Sequence, residues 1–590
     1  MKFLRELLAA ILGVLIASAI MFLIFVIFIS ASASSLSEDK KVAVKNNSVL
    51  ELNLEDEVKD YVPKSDDPFQ ELFGMDEGKV GLQQVLNAIE NAKTDDNIKG
   101  ISINCLNINA GIAQTQAIRD KLLEFKESGK FVFAYSNYYV QKNYYLSSVA
   151  DSVFVNPVGA IDFKGLVSEV LYFKDFQDKT GVRMEVIRHG KYKSAVEPFL
   201  DNKMSDANKE QITAFLGSIW SEIVDDIAVS RGKSTEEVNA IADDLLARNP
   251  ELAIENNMID GALYEDQYDK KLITHTGSDD EEKPNIISLQ DYIATGKGRI
   301  RSSASDKIAI VYAQGEILYG EGSEDYIGQG KIVEALKKVR KDDKIKAVVL
   351  RVNSPGGSSL TSDIILRELE LTKKEKPLVV SMSNYAASGG YYISCNADKV
   401  IAEPTTITGS IGVFGMIPNI SQLTDNIGIN AEQVGTNKQS LGYSVFEPMS
   451  DAFHAEMEES IENVYKTFIG HVAQGRNMPV TKVDSIGQGR VWTGTEALQL
   501  GLVDKLGNQD DAVKLAAELA DISDYSVTEY PRYKKDFKDI FNPFSASAKV
   551  KENLLKEELG TKYYRIYKQI KDFTQLEGVQ ARIPFIMNIE

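Results

Sequence analysis

One register governs this chain: its second half repeats its first. Asp95-Asp96-Asn97-Ile98-Lys99-Gly100 returns as Asp342-Asp343-Lys344-Ile345-Lys346-Ala347, an offset of 247 residues. At the same offset Ser136-Asn137-Tyr138 becomes Ser383-Asn384-Tyr385, Tyr144-Tyr145 becomes Tyr391-Tyr392, Ala150-Asp151 becomes Ala397-Asp398 and Pro157 becomes Pro404. Met204-Ser205-Asp206-Ala207 returns as Met449-Ser450-Asp451-Ala452 at an offset of 245. Two copies of one domain therefore follow each other, at about 45–270 and 306–530, with a linker at 271–305, an N-terminal segment at 1–36 and a tail at 531–590. The tail reads as a helical, mixed-charge stretch and then an extended end, Val579 to Ile589, to which the sequence assigns no role.

Within a copy, strand and helix patterns alternate. In the second, Lys307 to Tyr312, Ala347 to Val352 and Leu378 to Ser383 read as strands, and Ile332 to Arg340 and Ser359 to Thr372 as helices. Such alternation implies an α/β fold of parallel strands joined by right-handed crossovers. Asp206 to Ile227 and Asp451 to Val472 read as long helices. Ile212, Phe215, Ile219, Ile223 and Ile227 stripe the first, and Phe453, Met457, Ile461, Val464 and Phe468 the second, as core or subunit contacts.

Lys2 and Arg5 precede an uncharged run, of which Leu7 to Ile29 is almost wholly apolar. As a helix it would span about 34 Å against a hydrocarbon core of about 30 Å. It is too long for a simple signal peptide, although Ala31-Ser32-Ala33 looks like a cleavage site. The expectation is a single-pass anchor through residues 7–30, with the positive end cytoplasmic and the body outside the inner membrane. A net charge of −20 without a long basic run argues against a nucleic-acid partner. His189, His275, His454 and His471 fall in no metal-ligand spacing, so no metal is expected, and Cys105 and Cys395 make no disulfide framework.

Two glycine loops carry the chemistry. Leu350-Arg351-Val352-Asn353-Ser354-Pro355-Gly356-Gly357 takes a buried strand into a turn where backbone can approach a ligand closely. Ala386-Ala387-Ser388-Gly389-Gly390 sets a serine among small residues at a strand-to-helix turn, the geometry of a nucleophile elbow. In the first copy Ser388 is replaced by Gln141, Gly389-Gly390 by Lys142-Asn143, and Gly356-Gly357 by Asn109-Ala110. That joint loss suits a single site better than independent turns. A serine needs a base. None of the histidines has an obvious orienting carboxylate. The alternative is a lysine desolvated until its amine is neutral near pH 7–8. Gly190-Lys191-Tyr192-Lys193-Ser194-Ala195-Val196-Glu197-Pro198 offers candidates.

These motifs, with Thr408-Gly409-Ser410-Ile411-Gly412, closely resemble the long form of the signal peptide peptidase A (protease IV) family. These are bacterial Ser/Lys proteases of ClpP/crotonase-like fold, and the resemblance runs from the anchor to about residue 530. It implies two tandem ClpP/crotonase-like domains, Ser388 as nucleophile, Lys193 as general base, Ser410 as its positioner, and Gly357 and Gly389 as oxyanion donors beside Gly356. No cofactor is implied. It further implies signal peptides and other short unfolded peptides as substrates, a homotetramer, and a catalytic body on the periplasmic side. One departure stands out: at the 245 offset Lys193 falls on Lys438, so the second copy also holds a lysine. Two other readings compete, an acyl-CoA-binding crotonase-like enzyme and a non-catalytic membrane scaffold.

Overall fold

The computed structural model describes residues 43–63, 78–277, 283–440, 442–533 and 579–582, with scattered positions among the first 24. Each repeat is built on a parallel sheet. In the first, the strands lie in the order Gly261–Ala262, Ser152–Val155, Phe131–Ser136, Ile98–Asn104, Ser48–Leu52 and Asn285–Ser288, all parallel. In the second, the order is Val491–Thr493, Ile407–Gly409, Leu378–Ala387, Ile345–Ser354, Lys307–Gln314 and Ser526–Tyr530, with Val491–Thr493 alone antiparallel. Lys399–Ala402 branches from Leu378–Ala387 and carries Lys505–Leu506 at its outer edge. The 247-residue register survives as geometry: Ile98, Phe131 and Ser152 open strands that correspond to those opened by Ile345, Leu378 and Lys399.

The central strands are apolar on both faces because both faces are covered. Val348, Leu350 and Val352 face one core with Val311, Val380 and Met382, while Ala347 and Val349 face another with Ile308, Ile310 and Val379. Beyond Met382 the strand runs on to Ala387, four residues past the expected end, because Tyr385, Ala386 and Ala387 pair with Ile407–Gly409. The long helices span Asp206–Arg231 and Asp451–Gly475. The recurring Met-Ser-Asp-Ala places Ser205 and Ser450 as N-caps, accepting from the backbone N–H of Asn208 and Phe453. The first apolar stripe is buried throughout. In the second, Phe453, Met457 and Val464 are only half-buried and Tyr465, Ile469 and Val472 share the packing.

Parts of the stretch expected as linker carry secondary structure. Helix Glu265–Thr276 packs Tyr268 and Leu272 on Val49 and Phe133, and Asn285–Ser288 adds the edge strand of the first sheet. Among the described residues no helix is long and apolar enough to cross a membrane. Most of the Leu7 to Ile29 run, and the helical part of the tail, lie outside the described residues.

The repeats are joined by backbone and by charge. Arg183–His189 of the first pairs antiparallel with Val413–Asn419 of the second, from His189 opposite Val413 to Arg183 opposite Asn419. A third sheet results, in the order Tyr326–Ile327, Glu316–Ile317, Gly356–Ser358, Val579–Arg582, Val413–Asn419 and Arg183–His189. Asp60 enters the second repeat from the first. Its carboxylate accepts from Arg351 Nε at 2.8 Å, Asn353 Nδ2 at 2.5 Å, Ser383 Oγ at 3.0 Å and Gln114 Nε2 at 3.0 Å. Tyr61, next in sequence, stacks on Tyr312 with ring centres 4.6 Å apart.

Asp60 and Arg351 are both essentially buried. Removing one partner strands the other charge in a dry interior, which typically costs about 3–5 kcal/mol, whereas an exposed pair contributes about 1 kcal/mol or less. Denaturant unfolding of Asp60→Ala should show a loss in that upper range. Lys59→Ala, which breaks an ion pair to the exposed Asp325, should lose little.

Candidate active site

Ser388 and Ser410 are brought together by strand pairing. Ala387 lies opposite Gly409 on adjacent parallel strands, so each serine is the first residue beyond a strand end at the same level of the sheet. Both leave their strands sharply, with φ of 56° at Ser388 and 52° at Ser410. That left-handed backbone is strained for a side chain with a Cβ and is held by its neighbours. Ser388 N–H donates to Gly409 O at 2.8 Å and Ser410 N–H to Arg490 O at 2.7 Å. The turn after Ser388 is tight as well: a Cβ on Gly390 would lie 2.7 Å from Ser354 O.

Lys193 arrives from the other repeat. Its strand, Arg183–His189, ends at Gly190, whose φ is +108° and where a Cβ would lie 2.5 Å from Gln488 O. Tyr192 N–H then donates to Gln488 O at 2.8 Å, and a short 3-10 turn, Ser194–Val196, follows. The motif around Lys193 is explained by its contacts. Ala195 and Val196 pack with Phe414 and Met416, and Glu197 accepts from Asn208 Nδ2 at 2.7 Å. Gln211, from the long helix, donates to Tyr192 O at 3.1 Å and Ser194 Oγ at 3.0 Å.

The lysine stem runs through a channel floored by glycine. A Cβ on Gly489, where φ is +80°, would lie 2.7 Å from Lys193 Cβ, and one on Gly412 would lie 3.2 Å from Lys193 Cδ. At its end Nζ lies 2.8 Å from Ser388 Oγ, 3.1 Å from Ser410 Oγ and 3.2 Å from Ser410 O. Lys193 and both serines have no exposed surface. Among the described residues no carboxylate pairs with this amine, and burial alone pushes its pKa well below the ordinary lysine value. A neutral amine has one lone pair and two N–H groups. The lone pair can accept from the Ser388 hydroxyl while the N–H groups donate to Ser410.

Gly356 and Gly357 lie at the start of strand Gly356–Ser358, with φ of 101° and 148°. A Cβ on Gly357 would lie 2.1 Å from Ile317 O, so only glycine fits beside that strand. Gly389 opens the helix after Ser388, where a backbone N–H has no acceptor within the helix. Lys438 stands apart, in an exposed turn, and Lys191 lies over the Tyr192 ring at 5.1 Å. His189 pairs with Glu462 and stacks on Tyr465. The corresponding place in the first repeat is plugged. Gln141 Oε1 accepts from Lys164 N–H at 3.0 Å and Gly165 N–H at 2.8 Å, and Lys142 Nζ donates to Ala110 O at 2.9 Å.

Gly489, Gln211 and Asp60 were not singled out from the sequence. Gly487 and Gly489 on either side of Gln488 give a weak local signal for the first; the other two stand in no motif.

The profile described as peptidase family S49 matches twice, at residues 124–277 and 370–523. Protease 4 of Haemophilus influenzae is 36% identical over 530 residues, covering 86% of this chain and 86% of that protein. A serine protease named SPPA, chloroplastic, of Arabidopsis thaliana is 30% identical over 92% of this chain and 78% of its own. A putative signal peptide peptidase SppA of Enterococcus faecium is 36% identical over 35% of this chain and 60% of its own.

The buried amine carries a pH-dependent cost. In the unfolded chain a lysine stays protonated to about pH 10.4, so between the lowered folded pKa and that value folding must release a proton, at about 1.4 kcal/mol per pH unit. Lys193→Met should therefore unfold at a higher temperature than the parent at pH 7. The difference should shrink as pH rises toward 10, read by thermal melts across that range.

Proposed function

The chain belongs to peptidase family S49 and is a serine protease, and from that premise we propose that it cuts peptides with a Ser388/Lys193 dyad shared between its two repeats. The observation that carries this reading is the 2.8 Å approach of a fully buried lysine amine, its pKa pushed well down by burial, to a serine hydroxyl held at a strained strand end. Ser388 Oγ attacks the peptide carbonyl carbon as its proton passes to Lys193 Nζ. The tetrahedral oxyanion is met by the N–H groups of Gly357 and Gly389, each such donor contributing about 3 kcal/mol in comparable sites. Lys193 then protonates the leaving amine. Water, deprotonated by the same amine, releases the acyl group from Ser388. Ser410 orients Nζ through its hydroxyl and carbonyl, and the steps need no metal or cofactor.

Substrates in this reading are signal peptides and other short unfolded segments, in line with the name of the Enterococcus relative. They would bind as extended strands through main-chain hydrogen bonds. The apolar run from Leu7 to Ile29 would hold the enzyme in the inner membrane with its body on the periplasmic side, as a homotetramer. Acyl-CoA chemistry is disfavoured by the dyad itself. A non-catalytic scaffold is disfavoured by the cost of keeping an amine buried beside a strained serine.

Hydrolysis of a fluorogenic peptide should vanish in Ser388→Ala and in Lys193→Ala, and persist in Lys438→Ala. For the parent, kcat/KM should rise with pH as Lys193 loses its proton, because the ammonium has no lone pair to accept from Ser388. An active Lys193→Ala beside a dead Lys438→Ala would overturn the assignment.

A further inference from the structure

The third sheet is continuous only because of the tail. Gly356–Ser358 and Val413–Asn419 do not pair with each other. Both pair antiparallel with Val579–Arg582: Gly356, Gly357 and Ser358 lie opposite Arg582, Ala581 and Gln580, and Phe414 and Gly415 lie opposite Gln580 and Val579. Neighbouring strands sit about 4.8 Å apart, so without the tail these two edges would face each other across a slot about 10 Å wide, room for one strand.

The walls of that slot belong to the site. One holds Gly357. The other begins three residues beyond Ser410 and carries Phe414, whose ring centre is 6.0 Å from Lys193 Nζ. Gln580 is buried at the position that pairs with both walls. A peptide recognised by strand addition would use the same main-chain N–H and C=O groups of Gly356–Ser358 and Val413–Gly415. It and the tail cannot be present together.

We propose that Val579–Arg582 is a tethered occupant of the substrate cleft, a strand of this chain that competes with peptide substrates for the edges beside Ser388. The proposal rests on the Ser388/Lys193 reading, and it gives a role to the extended C-terminal end. Being covalently attached, the tail competes at an effective concentration that diluting the enzyme does not lower. A substrate peptide therefore meets an apparent affinity reduced by the fraction of molecules left open.

The test uses full-length Ser388→Ala protein, which keeps the tail whole, and a fluorescein-labelled peptide with the sequence of residues 577–584. In the same background Gln580→Pro with Ala581→Pro removes two strand N–H groups, and a chain ending at Gly578 gives a second measure should the proline variant fold poorly. Fluorescence anisotropy should show the peptide binding about tenfold more tightly to the altered proteins, as follows if the tail is docked in about 90% of parent molecules. Equal affinities, or no binding to any of the proteins, would overturn the proposal. Peptide hydrolysis by protein with native Ser388 is measured alongside, and its absence would count against the dyad reading instead.

Discussion

A buried lysine amine meets a hydroxyl from the other half of the chain, and much of the architecture serves to hold that meeting. Neither group gets there alone. Lys193 is carried in on a strand that pairs with the second repeat along its whole length, then turned by Gly190 and threaded past Gly412 and Gly489. Ser388 and Ser410 stand side by side because their strands are in register. The dry surroundings do the rest, since removing water from around a lysine penalises only its charged form.

A second cross-repeat contact supports the opposite wall. Asp60 binds Arg351 and Asn353, on the strand that runs into Ser354-Pro355-Gly356-Gly357, and Ser383, on the strand that ends just before Ser388. Glu403, buried 4.0 Å from Arg351, is pushed by desolvation well above the usual carboxylate range. One guanidinium thus faces the Asp60 carboxyl group that accepts from it and a second carboxyl group whose ionisation burial opposes, in a buried cluster.

How much of this could be read from residues alone depended on whether the signal was local. The repeat register showed which strands correspond, and the paired loss of glycines and serine in the first copy singled out Ser388. Lys193 was different. Lys191, Lys193 and Lys438 are equivalent as letters, and only burial distinguishes them; that is a property of the assembled fold, so the choice rested on the resemblance. Asp60 sits in no motif because its partners lie some 290 residues away. The short edge strand Asn285–Ser288 was hidden in a polar stretch, and the half-buried start of the second long helix shows that periodicity marks a face without saying how deeply it is covered.

With Gln141 and Lys142 bonded into the backbone around them, each polypeptide joins the repeat that holds Ser388 to a twin in which that place is filled. Around Gln141 the twin has no serine to position, yet it stays bound to its partner along a strand and a buried ion pair. Substitutions should be tolerated more readily around its filled place than along the strand and the ion pair that face the second repeat.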